Sequence, residues 1–303
     1  MKRFLFAAGF CLLLVRSSTT ARAQFLPGNS EMSRQNFNLP IKTGGGTQVW
    51  TDVRFRQGFR IQRNSLTGHH RLIDQNDVRR AWGTKTQCAE ELDRRVPPQS
   101  EAEPQRHVVL LHGLMRTAGS MKTLESALVE SGSPSVIRFA YASTRGSIPE
   151  HARALREVLE RLPEQDSFSF VGHSMGNIVV RSLVAQLESD GDPKRLLPRC
   201  KRMIMLGPPN QGATIAKRLS KTKVFGWVTG KGALQLGPDW EALQTDLATP
   251  TFPFHIIAGD VLATSVNPLV DGDGDFVVSV EEAKLEGCET FETYPVLHSF
   301  LMD

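Results

Sequence analysis

Long apolar runs are missing from this chain of 303 residues once the first 23 are passed. No stretch there approaches the roughly 20 apolar residues of a membrane-crossing helix, so none is expected in it. Cysteine is scarce. Cys11 lies in the opening segment, which leaves Cys88, Cys200 and Cys288. An odd set cannot pair completely, so at most one disulfide is expected, with partners that spacing does not reveal. None of the cysteines stands in C-x-x-C or metal-ligand spacing. Internal repeats and low-complexity blocks are absent too, which excludes solenoids and tails of biased composition.

An excess of positive charge is missing as well, despite a pI near 9.0. The opening segment carries Lys2, Arg3, Arg16 and Arg22 and no acid. Without it, 32 basic residues face 32 acidic ones. Nucleic acid is therefore not an expected partner. The segment has a positive start, an apolar run from Phe4 to Val15 and small residues at Ala21 and Ala23. That pattern predicts a signal peptide over 1–23, export to the periplasm or the medium, and a mature chain starting at Gln24. A retained membrane anchor is the alternative. Cys11 sits inside the apolar run and does not read as a lipoprotein cysteine.

What is present divides in two. Residues 24–105 read as a flexible leader, rich in Pro and Gly to residue 46, followed by a small β-rich extension. Strands are predicted at Gln48 to Phe55, Phe59 to Arg63 and His70 to Ile73. Pro97 to Pro104 reads as a linker. From residue 106 to 303 short apolar strands alternate with helices of 3.6-residue period. This predicts an α/β domain with a mostly parallel sheet and helices on both faces.

The chemistry centres on Gly172-His173-Ser174-Met175-Gly176. Five positions alone are weak, but the run Phe168 to Val171 enters the motif as a strand and Gly176 to Leu187 leaves it as a helix. That is the setting of a nucleophile elbow. An ordinary turn with a helix-capping serine is the bland alternative. A serine nucleophile needs a base and donors for the oxyanion. His112-Gly113 ends the upstream strand, so the N–H groups of Leu114 and Met175 are the expected donors, with His112 itself structural. His298, just past the last strand, is the expected base, while His255 lies inside a strand and suits packing. For the acid, Asp275 ranks before Asp273 and Asp260. Asp271, Asp273, Asp275 and Glu282 also fit the first, third, fifth and twelfth places of a calcium loop, but Phe276 stands where that loop needs glycine. No cofactor is expected, with a looser structural calcium site left as the alternative use of these acids.

Leu111-His112-Gly113-Leu114, Gly172-His173-Ser174-Met175-Gly176-Asn177, Leu206-Gly207-Pro208-Pro209-Asn210-Gln211-Gly212 and Gly274-Asp275-Phe276-Val277-Val278 resemble the bacterial lipase/esterase branch of the α/β-hydrolases and the related PGAP-type deacylases. The resemblance covers about residues 107–300. It implies the α/β-hydrolase fold and a cofactor-free triad of Ser174, Asp275 and His298. With it come Leu114 and Met175 as oxyanion donors, and an ester substrate, often a lipid. Acyl transfer to an alcohol, deacylation of a membrane lipid, or a dead scaffold would use the same fold. The Gly207–Gly212 stretch departs from the family's usual Gly-Thr-Pro-His form. An insertion at about 213–250 is expected to form a cap or lid. There Val224-Phe225-Gly226-Trp227-Val228 lies among Lys217, Arg218, Lys221, Lys223 and Lys231, a composition that suits either a lipid interface or plain cap packing.

Overall fold

The computed structural model describes residues 40–43, 48–98, 103–133, 135–213, 231–232, 234–260 and 278–302. All lie in one compact unit, Asn36–Asp303. The extension forms an antiparallel sheet of β1 (Ile41–Lys42), β2 (Trp50–Arg56), β3 (Phe59–Asn64), β4 (His70–Ile73) and β5 (Val78–Gly83), in the order β1-β5-β4-β3-β2. The expected strands are present. The leader expected to residue 46 ends sooner, because Ile41 and Lys42 pair with Arg79 and Val78. Helix α1 (Lys85–Arg95), started by a Thr84–Gln87 capping box, closes one face of this sheet. Its Cys88 and Leu92 join Val53, Ile61, Leu72 and Ala81 in a small core.

The second sheet is parallel throughout. Its strands are β6 (Arg106–Leu111), β7 (Ser135–Phe139), β8 (Ser167–His173), β9 (Cys200–Leu206), β10 (Phe254–Gly259) and β11 (Thr290–Tyr294). They lie in the order β11-β10-β9-β8-β6-β7. Side chains alternate across it as a period of two requires. Val109, Leu111, Phe170, Met203, Met205 and Ile256 enter the large core with α3 (Ile148–Leu159) and α4 (Met175–Asp190). Leu110, Val171 and Leu206 face the other way, with Met121 and, from α2 (Lys122–Glu130), Leu124 and Leu128. Helices thus cover both faces, as expected.

Helix α3 shows how sequence makes these elements. Ser147 and Glu150 form a capping box, Pro149 sits in the first turn, and Ile148, Ala152, Leu155, Val158 and Leu159 are buried along one stripe. Among the described residues two further short helices follow, α5 (Trp240–Gln244) and α6 (Val280–Ala283). No helix among the described residues is long and apolar enough to cross a membrane. The three cysteines are unpaired, and burial pushes the Cys88 and Cys200 thiols up to about 12.

Strand order positions the site. From β6 the chain moves outward to β7, then returns to β8 on the opposite side of β6. The loops after β6 and β8 therefore diverge above the carboxyl ends of the strands, where open α/β sheets form their crevice.

Candidate active site

Ser174 links β8 to α4 with φ 52° and ψ −122°, a conformation that costs a non-glycine residue about 1–3 kcal/mol. Its surroundings hold it there. The Ser174 N–H donates to the Leu206 carbonyl at 2.9 Å. Asn177 Nδ2 donates to the carbonyls of Ser174 and Leu206 at 3.0 and 3.2 Å. The flanking glycines are required by close approach: a Cβ on Gly172 would lie 2.3 Å from Asn177 Oδ1, and one on Gly176 2.5 Å from the Leu111 carbonyl oxygen. This is the strand-turn-helix expected of the motif. Met175 opens α4, so its N–H has no acceptor within the helix and points out of the helix start.

Leu114 lies in a turn closed by Arg116 N–H donating to the Gly113 carbonyl. Met115, next in that turn, has φ 58°. Gly113 packs against the elbow, since a Cβ there would fall 3.2 Å from Ser174 Cβ and 2.9 Å from His173 Nδ1. Met175 follows Ser174 directly, and Leu114 follows the Gly113 that packs on it.

His298 begins a short 3-10 turn after β11 and is buried. It meets the elbow in two ways. His173 Nε2–H donates to the His298 carbonyl at 2.8 Å, and the two rings lie 4.7 Å apart. Gly207, φ 52°, follows the carbonyl that holds Ser174, and a Cβ on it would sit 2.8 Å from His298 Nδ1. Residues 206–207 therefore touch both Ser174 and His298. Sequence alone does not mark His173 as a contact of the base. Its place inside the motif is the available signal. Burial, with His298 alongside, drives its pKa well below the usual histidine value, so it serves as a neutral strut.

Asp271, Asp273 and Asp275 lie outside the described residues. Asp260 follows β10 directly, and its N–H donates to the Tyr294 carbonyl at 2.7 Å. His255 remains inside β10, bonded to Thr290 Oγ1 at 2.8 Å and 3.3 Å from Glu289. His112 is fully buried and stacks on Tyr141 at 4.1 Å, and its Nδ1–H donates to the Gly113 carbonyl. Among the described residues no cluster of His, Cys, Asp and Glu is arranged to hold a metal.

Of the insertion, Val224 to Val228 lies outside the described residues. Its later part folds inward: Leu236, Trp240 and Leu243 belong to the large core. Gly232 lies against the elbow side, where a Cβ would be 3.0 Å from Met175 Sδ and 3.6 Å from Leu114 Cδ1. Around the site Met115, Leu297 and Phe300 leave large apolar side chains exposed.

Residues 70–272 match a family described as a domain of unknown function, DUF7379. No curated protein matches the chain. Among solved structures, the mature form of the lipase BlEst2 from Bacillus licheniformis superposes with a TM-score of 0.51 at 14% identity, over 68% of this chain and 90% of that one. The product of lin2722 from Listeria innocua gives a TM-score of 0.45 at 16% identity, over 66% and 89%. The metagenomic carboxyl esterase MGS0156 gives 0.45 at 15%, over 66% and 67%.

Proposed function

The chain belongs to the DUF7379 family and carries the α/β-hydrolase fold, and from that premise we propose that it is a serine hydrolase of carboxylic esters. The observation that carries this reading is the strained Ser174 at the carboxyl end of β8, with the His298 turn packed on the same backbone, at Leu206–Gly207. Ser174 Oγ attacks the ester carbonyl carbon while His298 takes its proton. The Leu114 and Met175 N–H groups hold the oxyanion of the tetrahedral intermediate. Collapse expels the alcohol, which receives the proton from His298. Water, deprotonated in turn by His298, then releases the acid and restores Ser174. Asp275 is the proposed carboxylate behind His298, with Asp273 and then Asp260 as the candidates after it.

Exposed Met115, Leu297 and Phe300 around the site support an acyl or lipid ester as substrate, met through the insertion at 213–250. Export by the segment 1–23 completes the proposal and is checked by N-terminal sequencing of periplasmic or secreted material. The test of the activity itself is a fluorophosphonate probe together with p-nitrophenyl esters of increasing chain length. Ser174 is expected to be the labelled residue, and Ser174→Ala to lose both label and turnover while keeping its melting temperature. An alanine variant with near-full turnover refutes the mechanism.

A further inference from the structure

The N-terminal sheet meets the hydrolase domain at one place that bears on catalysis. Gln48, half-buried just before β2, uses its whole amide to join two loops. Its Nε2 donates to the carbonyl of Arg116 at 2.5 Å. Its Oε1 accepts from Ser143 Oγ at 3.0 Å, Thr144 Oγ1 at 3.1 Å and Thr144 N–H at 3.3 Å. Arg116 is the closing residue of the turn that carries Leu114, and that turn holds Met115 in a left-handed conformation favoured by glycine. Such a turn persists only where its surroundings hold it.

The far side of the brace is itself fixed. Asp52 N–H donates to the Ala140 carbonyl, and the Ala140 N–H donates back to Asp52 Oδ2, both at 2.8 Å. Ala142 N–H donates to Thr51 Oγ1. Behind Asp52, Gln62 donates to its carboxylate and accepts from Arg71, whose guanidinium lies over Trp50. The other end of the oxyanion loop is tied to the same segment, because the Tyr141 hydroxyl donates to the His112 carbonyl. Loop 112–116 is thus pinned at both ends, once by the hydrolase domain and once by the extension.

We propose that Gln48 is the positioning residue of the oxyanion turn, and that through it the N-terminal sheet is a working part of the catalytic centre. The proposal rests on the serine-hydrolase reading given above. Gln48 touches no reacting atom. It fixes where the Leu114 N–H points, so its loss should weaken binding of the tetrahedral oxyanion and leave ester binding alone.

The test compares wild type, Gln48→Ala and Gln48→Glu in the full chain, with rates counted per fluorophosphonate-labelled site. Removing a donor outright costs other enzymes about 100- to 1,000-fold, so a misaimed one should lower kcat by about 10- to 100-fold with KM nearly unchanged. Affinity for an aryl boronic acid, which forms a tetrahedral adduct on the serine, should fall by the same factor. Amide hydrogen exchange at Leu114–Arg116 should quicken. Gln48→Glu keeps the acceptor for Ser143 and Thr144 but has no N–H for the Arg116 carbonyl, so it should match the alanine variant. Unchanged kcat and boronate affinity in Gln48→Ala, a lower melting temperature alone, or a Gln48→Glu enzyme that behaves as wild type would each overturn the proposal. A wild-type protein that takes no probe at Ser174 removes the hydrolase reading itself, and the positioning role with it. A probe-reactive wild type beside equally reactive variants removes only the role of Gln48.

Discussion

At the scale of single residues, the sharpest demand falls on Gly207. Its φ of 52° disfavours any side chain, and a Cβ would meet His298 Nδ1 at 2.8 Å, Cε1 at 2.9 Å and Leu301 Cδ1 at 2.9 Å. Gly207→Ala is therefore expected to push the imidazole aside. Since a displacement of about 1 Å in a catalytic group costs roughly 100-fold, turnover should fall by at least that much. Near-normal kcat in purified Gly207→Ala would refute the contact between this backbone and the base. The carboxylate allows an equally direct test. Asp275→Asn should lower turnover by about 10⁴ with little change in melting, and Asp273→Asn and Asp260→Asn should have milder effects. If Asp260→Asn is the inactive variant, the acid sits at the end of β10 instead. The elbow at Ser174 was legible because the apolar strand β8 feeds straight into it. His298 is marked only by its place past the last strand, since β11 reads Thr-Phe-Glu-Thr-Tyr and is largely exposed. Gln48, His173 and Gly207 were not legible, because their roles arise from contacts between segments distant in sequence. Gln48 lies 68 residues from Arg116, and His173 lies 125 from His298.

Among the elements, those with apolar or β-branched residues between clear turn signals were readable, and two without such signals were not. β2, β3, β4, β8 and α4 fall close to their expected places, and the alternation of strand and helix expected from residue 106 onward is present. Strand β5 reads Val-Arg-Arg-Ala-Trp-Gly and α1 offers only Cys88 and Leu92 as a narrow apolar stripe, so neither declared itself. Both are shaped by partners: β5 by pairing with β4 and β1, α1 by packing on the small sheet. The parallel sheet carries a polar lock that its apolar pattern conceals. His107 on β6 bonds Ser135 Oγ at the start of β7 and Asp166 Oδ2 just before β8, both at 2.8 Å. One imidazole thereby ties three adjacent strands at their amino ends. His107→Ala would remove a hydrogen-bond partner of the buried Asp166 carboxylate, leaving the Gln105 N–H and the nearby charge of Arg199, and should destabilise by about 1–3 kcal/mol. The site lies about 16 Å away along β6, five residues at roughly 3.3 Å each, so kcat per folded molecule should hold. Urea unfolding with an unshifted midpoint would show that the lock contributes nothing.

For the molecule as a whole, the same burial that steadies the oxyanion loop makes the fold sensitive to acid. Tyr141 is sandwiched between His112, 4.1 Å away, and His151, 4.8 Å away. Burial lowers both imidazoles to about 4, with the charge of Arg116 adding to the effect at His112 and Glu150 opposing it at His151. In the unfolded chain both return to about 6.5. The unfolded state therefore binds more protons between pH 6.5 and 4. Stability is fully present above pH 6.5 and is lost as pH falls through that window, by up to about 3 kcal/mol for each histidine. Asp52 acts with the opposite sign. Burial, against the opposing charges of Arg60 and Arg71, raises its carboxyl pKa above 3.8, so its part declines as pH rises. It opposes the histidine slope, while His173, lowered by its own burial, adds to that slope. Unfolding free energies measured in urea from pH 7.5 down to 4.5 should fall steadily. In a His112→Asn, His151→Gln double variant the starting stability is lower, since both stacks on Tyr141 are lost, but the fall below pH 6.5 should flatten. The slope, and not the absolute stability, is thus the deciding quantity. A double variant that loses stability with acid as steeply as wild type would place the acid sensitivity elsewhere, with the buried His173 beside His298 as the next group to replace.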